Sequence, residues 1–537
     1  MLLSGIIVIS KQDKPIKMSQ ISPQIEAKIQ QAKQEGLTQL DLSPDYRIDS
    51  GQPLTKIPQS LFELEQLESL NLSNNKISRI SNKITRLQNL KYLDISGNKL
   101  GKVSQELENL PNLITLKFSW KSLKSFPEWL AEIPQLSIDF SYRNLKTFPK
   151  YLIEFPNITE LDFTFNQIKN LPGNISQLSK LTSLKLTDNQ LTKLPPSIGQ
   201  LSNLTQLDLF CNRLTSLPKS IGNLSKLTQL NLCGNRLTDF PEAIGHLSQL
   251  TQLDLRGNEL TEVPQSLANL QNLIELNLSD NSLDDFPEVI TKLQRLTKLY
   301  YSENFLTTVP ESIAHLHHLT KLDLSENELT TVPEAISQLL NLLQLNLSFN
   351  NLSKIPQSIT NFPNLRELNL RNNQLNNLPE AITNLSQLTK LDLNSNQFTK
   401  IPEVLTSLAN LTWLELSYNK IANLGSSIGN FRNLAHLRLN GNQLRDLPES
   451  MANFANLTLL DLRQNRFTNF PESIISMPNL KKLDLEENEL EELPESILNL
   501  NPSIWLNLRH NPLEHPPIEV VVGGIEAMRE YFSQSQE

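Results

Sequence analysis

Leu204-Thr205-Gln206-Leu207-Asp208-Leu209-Phe210-Cys211-Asn212 decides the fold, because its pattern L-x-x-L-x-L-x-x-N returns 23 residues later, from Leu227 to Asn235, and again from Leu250 to Asn258. The closing asparagine recurs at 166, 189, 212, 235, 258, 281, 304, 327, 350, 373, 396, 419, 442, 465, 488 and 511. Earlier copies close on Asn75 and Asn98, and degenerate ones on Asp45, Lys121 and Arg143, giving 21 copies. A fixed period of this length marks a stacked solenoid, in which a unit buries its apolar face only against its neighbours. The 537 residues are therefore read as one array and not as several globular domains.

Each copy divides into two halves. The stretch x-L-x-L-x alternates, so it predicts a short strand with its leucines on one face. In Leu250–Asn258, Leu253 and Leu255 are expected inward, and Gln252, Asp254 and Arg256 outward. Stacked copies pair these strands in parallel. The asparagine amide both donates and accepts, so the ladder Asn166, Asn189, Asn212, Asn235, Asn258, Asn281 is expected to satisfy backbone groups at each turn. The second half, as in Leu260-Thr261-Glu262-Val263-Pro264-Gln265-Ser266-Leu267-Ala268-Asn269-Leu270, predicts a short helix with proline in its first turn. Glutamate often follows that proline, as at Glu242, Glu288 and Glu311, and suits the positive end of a helix dipole.

Both ends carry cap signals. Residues 1–18 read as a disordered leader or a misassigned start, since the apolar run Leu2–Ile9 has neither a basic region before it nor a cleavage site after it. Residues 19–36 predict a capping helix, with Ser22 as N-cap, Pro23 in the first turn, an Ile25, Ile29, Ala32 stripe and Gly36 as the stop. The array spans 37–517, interrupted once by an insertion around Arg47–Pro53. Residues 518–537 form a second cap, on Ile525, Met528 and Phe532.

Composition excludes several functions. A net charge of -9 argues against nucleic acid, whose recognition rests on Lys and Arg. Cys211 and Cys233 are the only cysteines, and the array has no cysteine-rich flanks, which points to a reducing, cytoplasmic setting. Catalysis needs unlike groups converging, whereas repeats supply rows of like ones. Gly97-Asn98-Lys99-Leu100-Gly101-Lys102-Val103 falls short of a phosphate loop by one residue and the final Ser or Thr. His315, His317 and His318 replace Asn, Ser and Lys of other copies on an exposed connector and do not read as a metal site. No catalytic residue, cofactor, metal, membrane span or small-molecule substrate is expected.

Three departures from the repeat are candidate surfaces. The first is a patch of Trp120, Tyr142 and Phe165 with Lys121 and Arg143, where two asparagines are lost and the spacing from Phe126 to Phe148 drops to 22. It reads either as a repaired defect or as a binding patch. The second is the C-terminal third of the strand face, centred on Trp413, Tyr418, His436, Arg438 and Arg463, because aromatic and arginine anchors dominate interfaces. Trp505 shares its row, and cover by the C-terminal helix would explain it. The third is the outward Asp/Asn row through Asp208, Asn231, Asp254 and Asn277, read as a solvated acidic face or as a site for a basic partner.

The half-repeat Leu191-Thr192-Lys193-Leu194-Pro195-Pro196-Ser197-Ile198-Gly199-Gln200-Leu201 resembles the Ras-group intracellular leucine-rich repeat proteins, the SHOC-type scaffolds and their plant relatives. The tail Asn511-Pro512-Leu513-Glu514-His515-Pro516-Pro517-Ile518, continuing to Phe532, also resembles the segment that precedes the GTPase module of bacterial Roco proteins, although the sequence ends at Glu537 without that module. The resemblance implies an α/β solenoid of the leucine-rich repeat horseshoe type, with a concave parallel sheet and convex short helices and turns. It also implies a non-catalytic scaffold or regulator in signal transduction, with protein partners such as a small GTPase or kinase. The recognition arm of a split Roco system is the alternative. A repeat-bearing ubiquitin ligase effector and a cell-surface receptor stand further off, for want of a catalytic cysteine domain and of a signal peptide.

Overall fold

The computed structural model describes residues 23–44, 53–120, 126–501 and 503–534. It divides into two units, residues 1–190 and 191–537. The leader, Ser22, Asp45, most of the Arg47–Pro53 insertion and Lys121 lie outside the described residues.

The second unit carries fourteen strands, from Gln206–Asp208 to Trp505–Asn507. Neighbours pair in parallel and in register, so that Leu230, Leu253 and Leu276 stand side by side. Each such leucine is buried and its two neighbours face outward, as the period of two requires. Seven strands, Gln39–Asp41 to Ser183–Lys185, build the first unit on the same rule. Each unit is a solenoid of short parallel strands, 21 in all among the described residues, with a tight turn between one strand and the next in most copies.

Those turns are single 3-10 turns, five residues long in most copies, as at Glu242–His246. The proline stands one place earlier than expected, at the cap. Its carbonyl accepts the amide of the buried isoleucine, Ile244 N to Pro241 O at 2.9 Å. A 3-10 turn needs that carbonyl as its first acceptor and makes no use of the missing N–H, so proline there costs nothing. Pro196, following Pro195, is the one that lies inside its turn.

The asparagine ladder does what its chemistry suggested. The Asn258 carbonyl oxygen accepts from Leu237 N at 3.0 Å, and its amide donates to the carbonyls of Leu232, Leu255 and Arg256 at 3.1, 2.9 and 3.3 Å. One buried side chain thus closes its own turn and ties down the preceding copy. The residue before each asparagine takes positive φ, near 50–69°, whether glycine or not.

The N-terminal helix, Pro23–Gln34, buries Ile29 and Ala32 and ends at Gly36, whose φ of 63° turns the chain into the first strand. At the other end Ile525–Gln534 buries Met528 and packs on the last 3-10 turn, Glu495–Asn499. It leaves Trp505 49% exposed, so the expected cover over that ring is absent.

The irregular stretch is a register slip. Leu93 pairs with Leu116 across 23 residues, but Leu116 pairs with Leu136 across 20. The repeat pattern would have matched Leu116 with Ile138, two places on. Side chains alternate with period two, so a slip of two leaves every residue on its proper face. The normal interval returns at Ile138 and Leu161, after a bulge at Leu136/Ser137. The slip carries Trp120 into the strand register: its N–H bonds to Asp139 O at 3.0 Å and its ring is 4% exposed, edge-on to Phe126 at 4.7 Å. Of the two readings of this stretch, Trp120 takes the repaired defect and drops out of the binding patch. It is core, filling the space that a shortened copy leaves. Arg143 supplies a single donor in place of the asparagine amide, Nε to Trp120 O at 3.3 Å.

Candidate protein-binding surface

Three outward rows cross the strand face of the second unit, and the middle one has a structural duty. Asp208, Asn231, Asp254, Asn277, Asp323, Asn346, Asn369, Asp392, Asp461 and Asn507 each accept the backbone N–H two residues on, at 2.9–3.3 Å. Asp and Asn interchange there because both place an Oδ1 at the same reach, which closes the strand end as an Asx-type turn. The row is thus not a free acidic groove. Burial also raises the carboxyls of Asp254 and Asp392 above the ordinary range. The interchange of Asp with Asn is the sequence signal for this role, which neither the solvated face nor the basic partner's site takes into account.

Against that rule, Tyr300, Glu415 and Arg438 stand out. Where Glu415 replaces the Asp/Asn, the orphaned Ser417 N–H turns to Asn394 Oδ1 of the preceding copy, at 2.6 Å. Glu415 itself is 4% exposed and fully engaged. It accepts from Trp413 Nε1 at 2.6 Å and Asn394 Nδ2 at 3.3 Å, and pairs with Arg438 at 3.3 Å. Trp413 stacks on His436 with centroids 4.4 Å apart, and the Arg438 guanidinium lies 5.7 Å over the indole. Burial, and then the Arg438 charge, lower the His436 pKa, so the stacked imidazole is the favoured neutral form.

Arg463 reaches Asp461 through two bonds of 3.0 and 2.9 Å and Asp484 at 3.4 Å. The bond to Asp461 raises its pKa, while burial and the adjacent Asp461 raise that of Asp484. Tyr418 projects 53% exposed from a left-handed backbone with φ of 54°. A Cβ on Gly441 would come within 2.5 Å of its ring, so glycine makes that placement possible. The structure therefore brings Trp413, His436 and Arg438 into one bonded cluster, with Arg463 and Tyr418 on the following elements. Glu415, which holds the cluster together, is not among the residues that the sequence singles out.

In the first unit Tyr142 and Phe165 stack at 4.5 Å and are 66% and 44% exposed, without Trp120 beside them. Lys117, in the strand Thr115–Ser119, is engaged by Glu160 at 2.8 Å. This is a smaller patch than the sequence suggested.

Other chemistry is sparse. Cys211 and Cys233 are in no disulfide, and burial pushes the Cys233 thiol up to about 12, away from nucleophilic use. His315, His317 and His318 are all exposed. Glu486, Glu487 and His510 bring three donor atoms together among the described residues, and Glu486 and His510 form an exposed 3.1 Å contact. Among the described residues no helix is long and apolar enough to cross a membrane.

A ladder of buried asparagines beneath in-register leucine strands defines a leucine-rich repeat protein. The family model for the leucine rich repeat matches residues 47–100 and 156–214 and, in overlapping segments, 294–513, and that for a leucine-rich repeat region matches 219–304. The chain belongs to the leucine-rich repeat family. A leucine-rich repeat protein of Leptospira interrogans is 36% identical over 73% of this chain and 99% of its own, with a TM-score of 0.68. The plant peptide hormone receptor RGFR1, solved in complex with RGF2, is 27% identical over 85% of this chain and 80% of its own, with a TM-score of 0.63. The Arabidopsis receptor kinase HAESA, solved with the peptide hormone IDA and the co-receptor SERK1, is 26% identical over 89% and 87%, with a TM-score of 0.56. No curated protein sequence matches the chain.

Proposed function

We propose that this protein is a non-catalytic protein–protein interaction scaffold whose partner docks on the strand face around Trp413, Tyr418, His436, Arg438 and Arg463. One observation carries the reading. At Glu415 the copy gives up the strand-end bond that most of its neighbours keep, reroutes the stranded amide to Asn394, and uses the carboxylate to hold Trp413 and Arg438 in place. No repeat-forming need accounts for that exchange, and pre-organised aromatic and arginine side chains are what interfaces use as anchors. The plant receptors solved with peptide hormones support a polypeptide ligand for such an array.

The finer reading follows the resemblance to SHOC-type scaffolds: action in signal transduction in the cytoplasm, a setting that suits two thiols outside any disulfide, with a small GTPase or kinase among the partners. The recognition arm of a split Roco system is the same surface serving a separately encoded GTPase. Replacing Trp413 and Arg438 together by Ala tests the surface. Affinity capture of the main partner is expected to vanish while the circular dichroism melt stays within about 2 °C, as for exposed substitutions. Unchanged capture would move the site to the Tyr142–Phe165 patch.

A further inference from the structure

Resting on that docking reading, we infer that the occupant is an extended acidic segment of a partner protein, carrying two carboxylate side chains about six residues apart, each beside an apolar residue. The inference comes from a motif that occurs twice. Lys390 lies over the ring of Trp413, Nζ to centroid 5.4 Å, and Lys482 over the ring of Trp505 at 4.4 Å. In both pairs the lysine precedes the tryptophan by one copy in the same outward row, and the pairs stand 92 residues, or four copies, apart.

These lysines differ from most others on the strand face; Lys321, over the ring of Tyr300 at 4.9 Å, is of their kind but on a phenol. Lys91, Lys117, Lys185 and Lys298 each contact a carboxylate of an adjoining copy or the next but one. Among the described residues neither Lys390 nor Lys482 has a carboxylate within ion-pairing distance; Glu415, Asp461 and Asp484 are taken by Arg438 and Arg463. The side chains of Glu415, Asp461 and Asp484 are only 6%, 7% and 5% exposed. In these two outward rows Lys390, Arg438 and Lys482 and the two indoles thus stand over three covered carboxylates, while Asp392 is half-buried and Glu486 and Glu487 lie beyond the rows beside His510. On the N-terminal side the same row resumes an acidic residue at the exposed Glu367, which bounds the strip.

A ring face attracts an ammonium ion through its quadrupole, and leaves the outer hydrogens of that ion free for an anion. A carboxylate on the lysine and an apolar side chain on the indole would fill both halves of each pair. Four strand steps of about 4.8 Å place the two pairs about 19 Å apart, and an extended chain rises about 3.3 Å per residue. About six residues bridge them.

The test uses the purified full chain and fluorescein-labelled synthetic peptides read by anisotropy. One peptide carries two Glu-Phe pairs six residues apart. Its controls carry one pair, two pairs three residues apart, and Lys in place of each Glu. The six-residue peptide should bind roughly ten-fold or more tighter than the single pair, through effective concentration. Lys390→Ala or Lys482→Ala should each return it to the single-pair level with an unchanged melt. Equal binding of the three-residue peptide, equal or tighter binding of the Lys peptide, or tighter binding of an oligo(U) RNA would overturn the inference. Failure of the whole peptide series, while Trp413→Ala with Arg438→Ala still abolishes capture, sinks the acidic segment and leaves the docking surface standing. Capture indifferent to that double substitution removes the docking reading itself.

Discussion

Two stretches of this molecule break the same repeat, and they resolve the break in opposite directions. Between Thr115 and Asp139 in the first unit a shortened copy slips by two residues, and Trp120 is drawn into the core against Phe118 and Phe126. Between Trp413 and Arg438 in the second unit the spacing and register are perfect, yet the outward residues change character. There the aromatic stays at the surface and a buried carboxylate holds it. A repeat broken in its spacing is repaired with core material; a repeat kept in its spacing but altered on its outer face leaves the altered side chains available for another use. The second kind is the better pointer to a site.

The largest effect that could break this contrast is at Trp120. Trp120→Ala should destabilise the first unit by about 3–5 kcal/mol, the range for emptying a buried aromatic site. Because repeat arrays need not unfold as one, hydrogen exchange resolved along the chain is the proper measurement. Loss of protection should centre on residues 115–163. Trp413→Ala should move exchange of its own region far less, within about 1 kcal/mol. Comparable losses at the two tryptophans would mean that Trp413 is structural too.

The next effect is at the ladder. Asn258→Ala leaves Leu237 N–H and three carbonyls with one partner fewer each, a loss of about 1–3 kcal/mol. Arg143→Ala removes a single long bond to Trp120 O and should cost under about 1 kcal/mol. Urea melts followed at both sites would separate the intact turn from the repaired one. An equal cost would show the Arg143 turn to be as fully bonded as the others.

Most of the fold was legible because it depends on rules that every copy repeats: inward leucines, the asparagine, the proline before an apolar residue. Averaging over copies makes such rules visible. The slip at Leu116–Leu136 was not legible, since only the total length of the short copy could be counted and the pairing that absorbs it is set by how Trp120 packs. The exposed Trp505 was misjudged for the same reason, as helix docking depends on where Met528 finds its pocket. At the candidate site Trp413, His436 and Arg438 stand out in the sequence by their oddity within their rows. Glu415 was passed over because a glutamate in an acidic row looks ordinary until its hydrogen bonds are seen.

A thiol measurement sharpens the chemistry of the same strand face. With burial raising Cys233 to about 12, its thiolate fraction at pH 8 is on the order of 10⁻⁴. Iodoacetamide should therefore label the native chain at Cys233 at least ten-fold more slowly than the urea-unfolded chain. The rate should still be climbing between pH 9 and 11, where an ordinary cysteine has levelled off. A plateau near pH 9 would place the thiol in water and open the Cys211–Cys233 pair to redox roles.

The smallest effect tests the rule that separates the two kinds of break. If the Asp/Asn row serves to close strand ends, Asp254→Asn keeps the Oδ1 acceptor for Arg256 N and should stay within about 0.5 kcal/mol of the parent. Asp254→Ala, which removes the acceptor, should lose about 1 kcal/mol. The same exchange at Glu415 should behave differently. Glu415→Asn restores the residue type that neighbouring copies use to hold the amide two places on, so stability should hold or rise slightly. Trp413 Nε1 and Arg438 meanwhile lose their carboxylate, and capture should weaken. Stability and binding would then move apart at Glu415 and stay together at Asp254. A Glu415→Asn chain that keeps full capture would show that Trp413 and Arg438 need no support from below, and would remove the observation on which the docking surface rests.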